Sequence, residues 1–130
     1  MTSFLNRVLH VDDDMDIRDI AGIALREIGG FDLVQCGSGY EALDAAPGFA
    51  PDLVVLDMMM PQLDGAETLE RLRKLPGLEN VAVIFMTAKG NQMSHQRLLE
   101  LGALGVIMKP FDPMTLADDI HCLWQDHRAA

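Results

Sequence analysis

Five short runs rich in β-branched and aliphatic residues, at 7–11, 32–36, 52–56, 81–86 and 105–108, recur along the chain, and each is followed by a helical pattern. Strands apolar at consecutive positions bury both faces, and when helices separate them they need parallel pairing with right-handed crossovers. The sequence therefore predicts an α/β fold: a doubly wound parallel sheet of five strands with five helices.

The helical segments carry their own signals. Leu116, Ile120, Leu123 and Trp124 fall at i, i+4, i+7 and i+8, one apolar stripe, and Asp112-Pro113 supplies an N-cap and an N1 proline. Ser38-Gly39-Tyr40-Glu41 has the form of a capping box, and Asp64 is placed to cap the run containing Ala66, Leu69 and Leu72. Ile17, Ala21, Ala24 and Ile28 line a first helix. No linker, repeat or low-complexity tract interrupts the pattern, so residues 1–130 are expected to form one domain with no output domain.

Composition narrows the partners. A net charge of −10, from 20 acidic and 10 basic residues with no basic stripe, repels a nucleic-acid backbone and an anionic leaflet, so neither nucleic acid nor membrane is expected as a partner. No apolar run approaches the roughly 20 residues that span a bilayer, and the N-terminus lacks a signal-peptide pattern, so a cytoplasmic protein is expected. Cys36 and Cys122 lie far apart in apolar segments and read as reduced core residues.

In open parallel sheets the ligand site lies beyond the carboxyl ends of the strands. The first run is followed by Asp12-Asp13-Asp14, the third by Asp57, the fourth by Thr87 and the fifth by Lys109, and these groups are predicted to converge on one edge. Several carboxylates in one crevice repel unless a cation is shared among them. An all-oxygen set with few protein groups suits Mg²⁺, and the thioethers of Met58, Met59 and Met60 do not, although the Met59 main-chain carbonyl is available. A carboxylate beside Mg²⁺ can attack a phosphoryl group to form an acyl phosphate. Asp57 is the candidate nucleophile, Lys109 the cation facing the incoming phosphoryl group and Thr87 a hydrogen-bond donor to it.

Val11-Asp12-Asp13, Leu56-Asp57-Met58-Met59-Met60-Pro61 with Asp64-Gly65, Met86-Thr87-Ala88 and Lys109-Pro110-Phe111 together resemble the motifs of response-regulator receiver domains, in that family's order and spacing. The resemblance covers essentially the whole chain. It implies a flavodoxin-like (CheY-like) fold with strand order 2-1-3-4-5 and a cis peptide at Lys109-Pro110. It also implies a two-component phosphorelay, in which Asp57 takes a phosphoryl group from a phosphohistidine on a sensor histidine kinase or histidine phosphotransfer protein. By the same resemblance the domain is expected to catalyse its own phosphorylation and dephosphorylation, without acting as an enzyme on free substrates. Asp13 and Asp57 are expected to hold Mg²⁺ through carboxylates, Met59 through its carbonyl and Asp12 largely through water. A downstream target protein is expected on helix 4, strand 5 and helix 5, here residues 91–101, 105–108 and 113–127. One position departs from the pattern: the family usually has Tyr or Phe three residues before the lysine, where this chain has Val106. The response to phosphorylation is accordingly expected at Thr87 and residues 88–93.

Other readings account for fewer of these residues. Asp14 alone reads as a helix cap. A calcium loop over Asp12, Asp14 and Asp16 fails because Ile17 stands where glycine is needed and Ile23 where the bidentate glutamate belongs. A Mg²⁺-dependent aspartyl-phosphate phosphatase is the alternative from another class, but Met59 stands where such an enzyme places its acid/base aspartate. Met58–Met60 otherwise read as packing, and His10, His95, His121 and His127 have no zinc spacing.

Overall fold

The computed structural model describes residues 4–88 and 94–129. Strand β1 (Arg7–Val11) leads to helix α1 (Met15–Gly22), which continues directly as a π-helical stretch, Ile23–Ile28. Then follow β2 (Asp32–Cys36), α2 (Gly39–Phe49), β3 (Leu53–Asp57), α3 (Gly65–Leu72), β4 (Ala82–Ala88), α4 (His95–Glu100), β5 (Gly105–Lys109) and α5 (Leu116–Ala129). All pairings are parallel and the order is β2-β1-β3-β4-β5, as the sequence resemblance implies.

The sheet separates two cores. Leu9, Val11, Val54, Leu56, Val83 and Phe85 point to one face, where Ala42 and Ala46 of α2, Leu69 and Leu72 of α3 and Leu98 of α4 cover them. Val8, Leu53, Val55, Ile84, Met86 and Ile107 point to the other, against Ala21, Ala24, Leu25 and the α5 residues Leu116, Ala117 and Ile120. Strand β3 is buried at all five positions, which is why its sequence shows no alternation. Each fully buried leucine or isoleucine contributes about 1.5–3 kcal/mol relative to exposure.

The sheet departs from the apolar runs at their ends. Asp52 precedes β3, and its carboxylate accepts the backbone N–H groups of Asn6 and Arg7 at 3.1 and 2.8 Å, fixing the entry to β1. At the other end pairing continues past the apolar residues, with Asp57 opposite Met86, Thr87 opposite Met108 and Ala88 opposite Lys109. Asp57, Thr87 and Lys109 are therefore strand residues and inherit the sheet's rigidity. Ile28 leaves the expected stripe: the wider π turn rotates it to 45% exposure and turns Leu25 inward. Cys36 is buried as expected, whereas Cys122 lies off the apolar stripe of α5 and is exposed. The expected first turn of helix 4, residues 91–93, and residues 89–93 of the expected responsive segment lie outside the described residues.

Candidate phosphoacceptor site

Three carboxylates and one ammonium group meet at the carboxyl edge of the sheet. Asp12 follows β1 and is fully buried, Asp57 ends β3 at 4% exposure, and Asp13 is exposed beside them. One carboxylate oxygen from each of Asp12, Asp13 and Asp57 lies within 4.8 Å of the others. Lys109, the last residue of β5, places Nζ 2.7 Å from Asp12 Oδ2 and 3.1 Å from Asp57 Oδ1. Its peptide bond to Pro110 is cis, as the resemblance implies.

The loops that present these groups are held by their own polar atoms. Asp12 Oδ1 accepts the Asp14 N–H at 2.9 Å, and Asp14 caps α1 by accepting from Asp16 and Ile17, so Asp14 has the capping role read from the sequence. After β3, the Met59 N–H reaches Asp57 Oδ1 at 3.4 Å, and the Gly65 N–H donates to the Met58 carbonyl at 2.9 Å. Asp64 and Glu67 complete a reciprocal capping box at the start of α3. A Cβ on Gly65 would lie 2.6 Å from the Asp57 carbonyl oxygen, so α3 can approach β3 this closely only with glycine there. Met58 and Met60 are buried as packing residues, whereas Met59 is 61% exposed at the mouth of the site.

Burial pushes the Asp57 carboxyl up to about 6, with Asp12 adding to the rise while Lys109 and the Met59 N–H oppose it. Burial pulls the Lys109 amine down, but the hydrogen bond and charge of Asp12 together with Asp57 raise it overall. The site thus holds clustered acid with one ammonium group shared between two carboxylates. Such a cluster fits a divalent cation bound through hard oxygen donors.

Thr87 is buried at the penultimate position of β4. Strand alternation sets it on the face opposite Ala88 and Lys109, so it borders the edge from the α4 side. Val106 packs against the same core as α2, α3 and α4.

The sequence reading did not single out Arg18, whose Nη1 donates to the Asp12 carbonyl at 2.8 Å, or Gln35, whose Nε2 donates to the Arg18 carbonyl at 2.7 Å. It noted His10 only as a histidine without zinc spacing, within the first apolar run. His10 is fully buried in the layer below Asp12, and burial lowers its imidazole to about 4, against a raising contribution from Asp12. A polar residue inside an apolar strand was the one available signal.

A parallel sheet of this order, with an acid cluster and a lysine at its carboxyl edge, defines a CheY-like α/β signalling domain. The family described as response regulator receiver domain matches residues 8–121, and the chain belongs to it. Sporulation initiation phosphotransferase F of Bacillus subtilis is 40% identical over 117 residues, covering 88% of this chain and 90% of that protein. The DNA-binding response regulator MtrA of Mycobacterium tuberculosis is 39% identical over 116 residues, 89% of this chain but only 49% of that protein. Among solved structures, the chemotaxis protein CheY4 of Vibrio cholerae superposes with a TM-score of 0.82 at 27% identity, over 92% of this chain and 99% of that one. No helix among the described residues is long and apolar enough to cross a membrane.

Proposed function

We propose that this chain is the phosphoacceptor module of a two-component phosphorelay, with Asp57 as the acceptor. The observation that carries the reading is the sharing of Lys109 Nζ between Asp12 and Asp57 at the edge where Asp13 completes the acid cluster. An Asp57 carboxylate oxygen attacks the phosphorus of a phosphohistidine on a histidine kinase or histidine phosphotransfer protein. The P–N bond breaks, its electron pair stays on the imidazole nitrogen, and an acyl phosphate remains on Asp57.

Although its carboxyl is raised, Asp57 is mostly ionised at neutral pH and so keeps its nucleophilic form. Lys109, already 3.1 Å from Asp57, pairs with an incoming phosphoryl oxygen, and the Thr87 hydroxyl donates to another. Asp13 and Asp57 would hold Mg²⁺ through their carboxylates, Asp12 largely through water and Met59 through its carbonyl. When bound, the metal neutralises charge on the phosphoryl oxygens. The protein acts in the cytoplasm and signals to a target protein through α4, β5 and α5 with the turn that precedes α5, where Leu99, Met108 and Met114 are exposed. Incubation with a small acyl-phosphate donor and Mg²⁺ should add one phosphoryl group by intact mass, and Asp57→Asn should abolish it. Labelling of the variant at the wild-type rate would refute the assignment.

A further inference from the structure

Beneath the acid cluster a chain of polar contacts links β2, β1 and α1. Gln35 Nε2 donates 2.7 Å to the Arg18 main-chain carbonyl and lies 3.1 Å from His10 Nδ1. Because a carbonyl can only accept, that bond fixes the orientation of the Gln35 amide, and the second amide proton points to His10 Nδ1. Nδ1 is then the acceptor and the imidazole proton sits on Nε2, which has no hydrogen-bonding partner among the described residues. Valine at this strand position would avoid burying that unpaired N–H. Gly22 leaves room for the arrangement, since a Cβ there would sit 3.0 Å from Gln35 Oε1. Arg18 in turn donates from Nη1 to the Asp12 carbonyl at 2.8 Å, and the Asp12 N–H is held by the Cys36 carbonyl at 3.1 Å.

We infer that Gln35, held between the Arg18 carbonyl and His10 Nδ1, is a positioning residue that acts through Arg18 to set the Asp12 main chain, and with it Asp12 and Asp13, for divalent-metal binding. The inference rests on the proposed role of Asp12 at the metal. The backbone on both sides of Asp12 is fixed from β2, once directly through Cys36 and once through Gln35 and Arg18. A bound metal needs its oxygen donors within a narrow tolerance, and partners one bond removed from the ligands commonly set that geometry.

The test is calorimetric titration of the intact chain with MgCl₂ at a temperature where every variant is folded, so that lost stability alone leaves the affinity unchanged. The double variant His10→Leu/Gln35→Leu removes both members of the polar pair without leaving either unpaired against the other, and it should bind Mg²⁺ about tenfold more weakly. Arg18→Met, at a half-buried site, gives a second reading whose sign is diagnostic. Removing a positive charge beside an acid cluster strengthens cation binding if charge alone matters, whereas loss of positioning weakens it. Arg26→Met deletes a similar guanidinium bond, from Nη2 to the Leu33 carbonyl at 3.3 Å, and should leave the affinity within about twofold of wild type. Unchanged or tighter binding in Arg18→Met and in the double variant overturns the inference while leaving the metal site in place. A wild-type protein that takes up no Mg²⁺ overturns both this inference and the proposed metal site.

Discussion

Two buried titratable side chains, His10 and Asp57, lie in neighbouring layers of the same sheet face and are displaced in opposite directions. Asp57 is raised from 3.8 to about 6 in the folded protein, so between those values the native state holds a proton the unfolded chain has released, and stability falls as pH rises. His10 is lowered from 6.5 to about 4, so over nearly the same interval the unfolded chain holds the extra proton and stability rises with pH. Each displacement corresponds to about 3 kcal/mol, and the two offset one another. In metal-free buffer the wild type should therefore show a shallower dependence of unfolding free energy on pH between 4 and 6 than either single variant. Asp57→Asn should gain stability with rising pH, and His10→Leu should lose it, as read from urea denaturation at each pH. Parallel curves for all three proteins would mean that neither group is displaced.

Among the elements, the approach of α3 to β3 is set by Gly65, whose Cβ would meet backbone atoms of Asp57 and Met58 at 2.6 and 2.9 Å. Backbone cannot rotate away as a side chain can, so Gly65→Ala should cost about 1–3 kcal/mol by urea denaturation. Gly48, inside α2 with nothing within 4 Å of its would-be Cβ, supplies the contrast, and Gly48→Ala should be neutral or stabilising by up to about 1 kcal/mol. Equal effects at the two sites would show that α3 is free to shift. The elements themselves were legible wherever the determinant is local. β1 and β2 occupy their apolar runs residue for residue, and Asp64 caps α3 as its place before the run implies, with Glu67 completing a box that the sequence reading did not name. The Ser38 box forms only on one side, because Glu41 turns to the Gly37 N–H instead of that of Ser38. In the last helix Asp112 caps the turn at Met114, and the regular helix begins only at Leu116. The π-helical turn left no trace in composition, since one extra residue per turn changes the direction of Ile28 but not the residue types around it. The convergence of Asp12, Asp57 and Lys109 was legible because parallel strands bring their carboxyl ends to one edge. The tie from His10 through Gln35 to Arg18 was not, because its contacts join residues 25 and 17 positions apart, and no local pattern encodes them.

For the molecule as a whole, the acid cluster adds local repulsion to a chain that already carries a net charge of −10. A divalent cation that binds only the native state stabilises it by about 2.7 kcal/mol at a hundredfold excess over its dissociation constant. The melting temperature should rise with MgCl₂, and Asp13→Ala, which alters an exposed carboxylate of the proposed metal site without disturbing the core, should lose most of that rise. An equal response in both proteins would place the metal elsewhere. The edge where this occurs draws its groups from positions 12, 13, 57 and 109, and the lysine that bridges two of the carboxylates is carried by the last strand. While the chain is being synthesised, its first three strands can emerge with all three acids and no lysine to oppose them. The site comes into being only when β5 docks beside β4. On the proposed reading, competence for phosphotransfer is a property of the finished sheet, and a half-made or misassembled chain carries the proposed acceptor Asp57 without the lysine placed to meet a phosphoryl group.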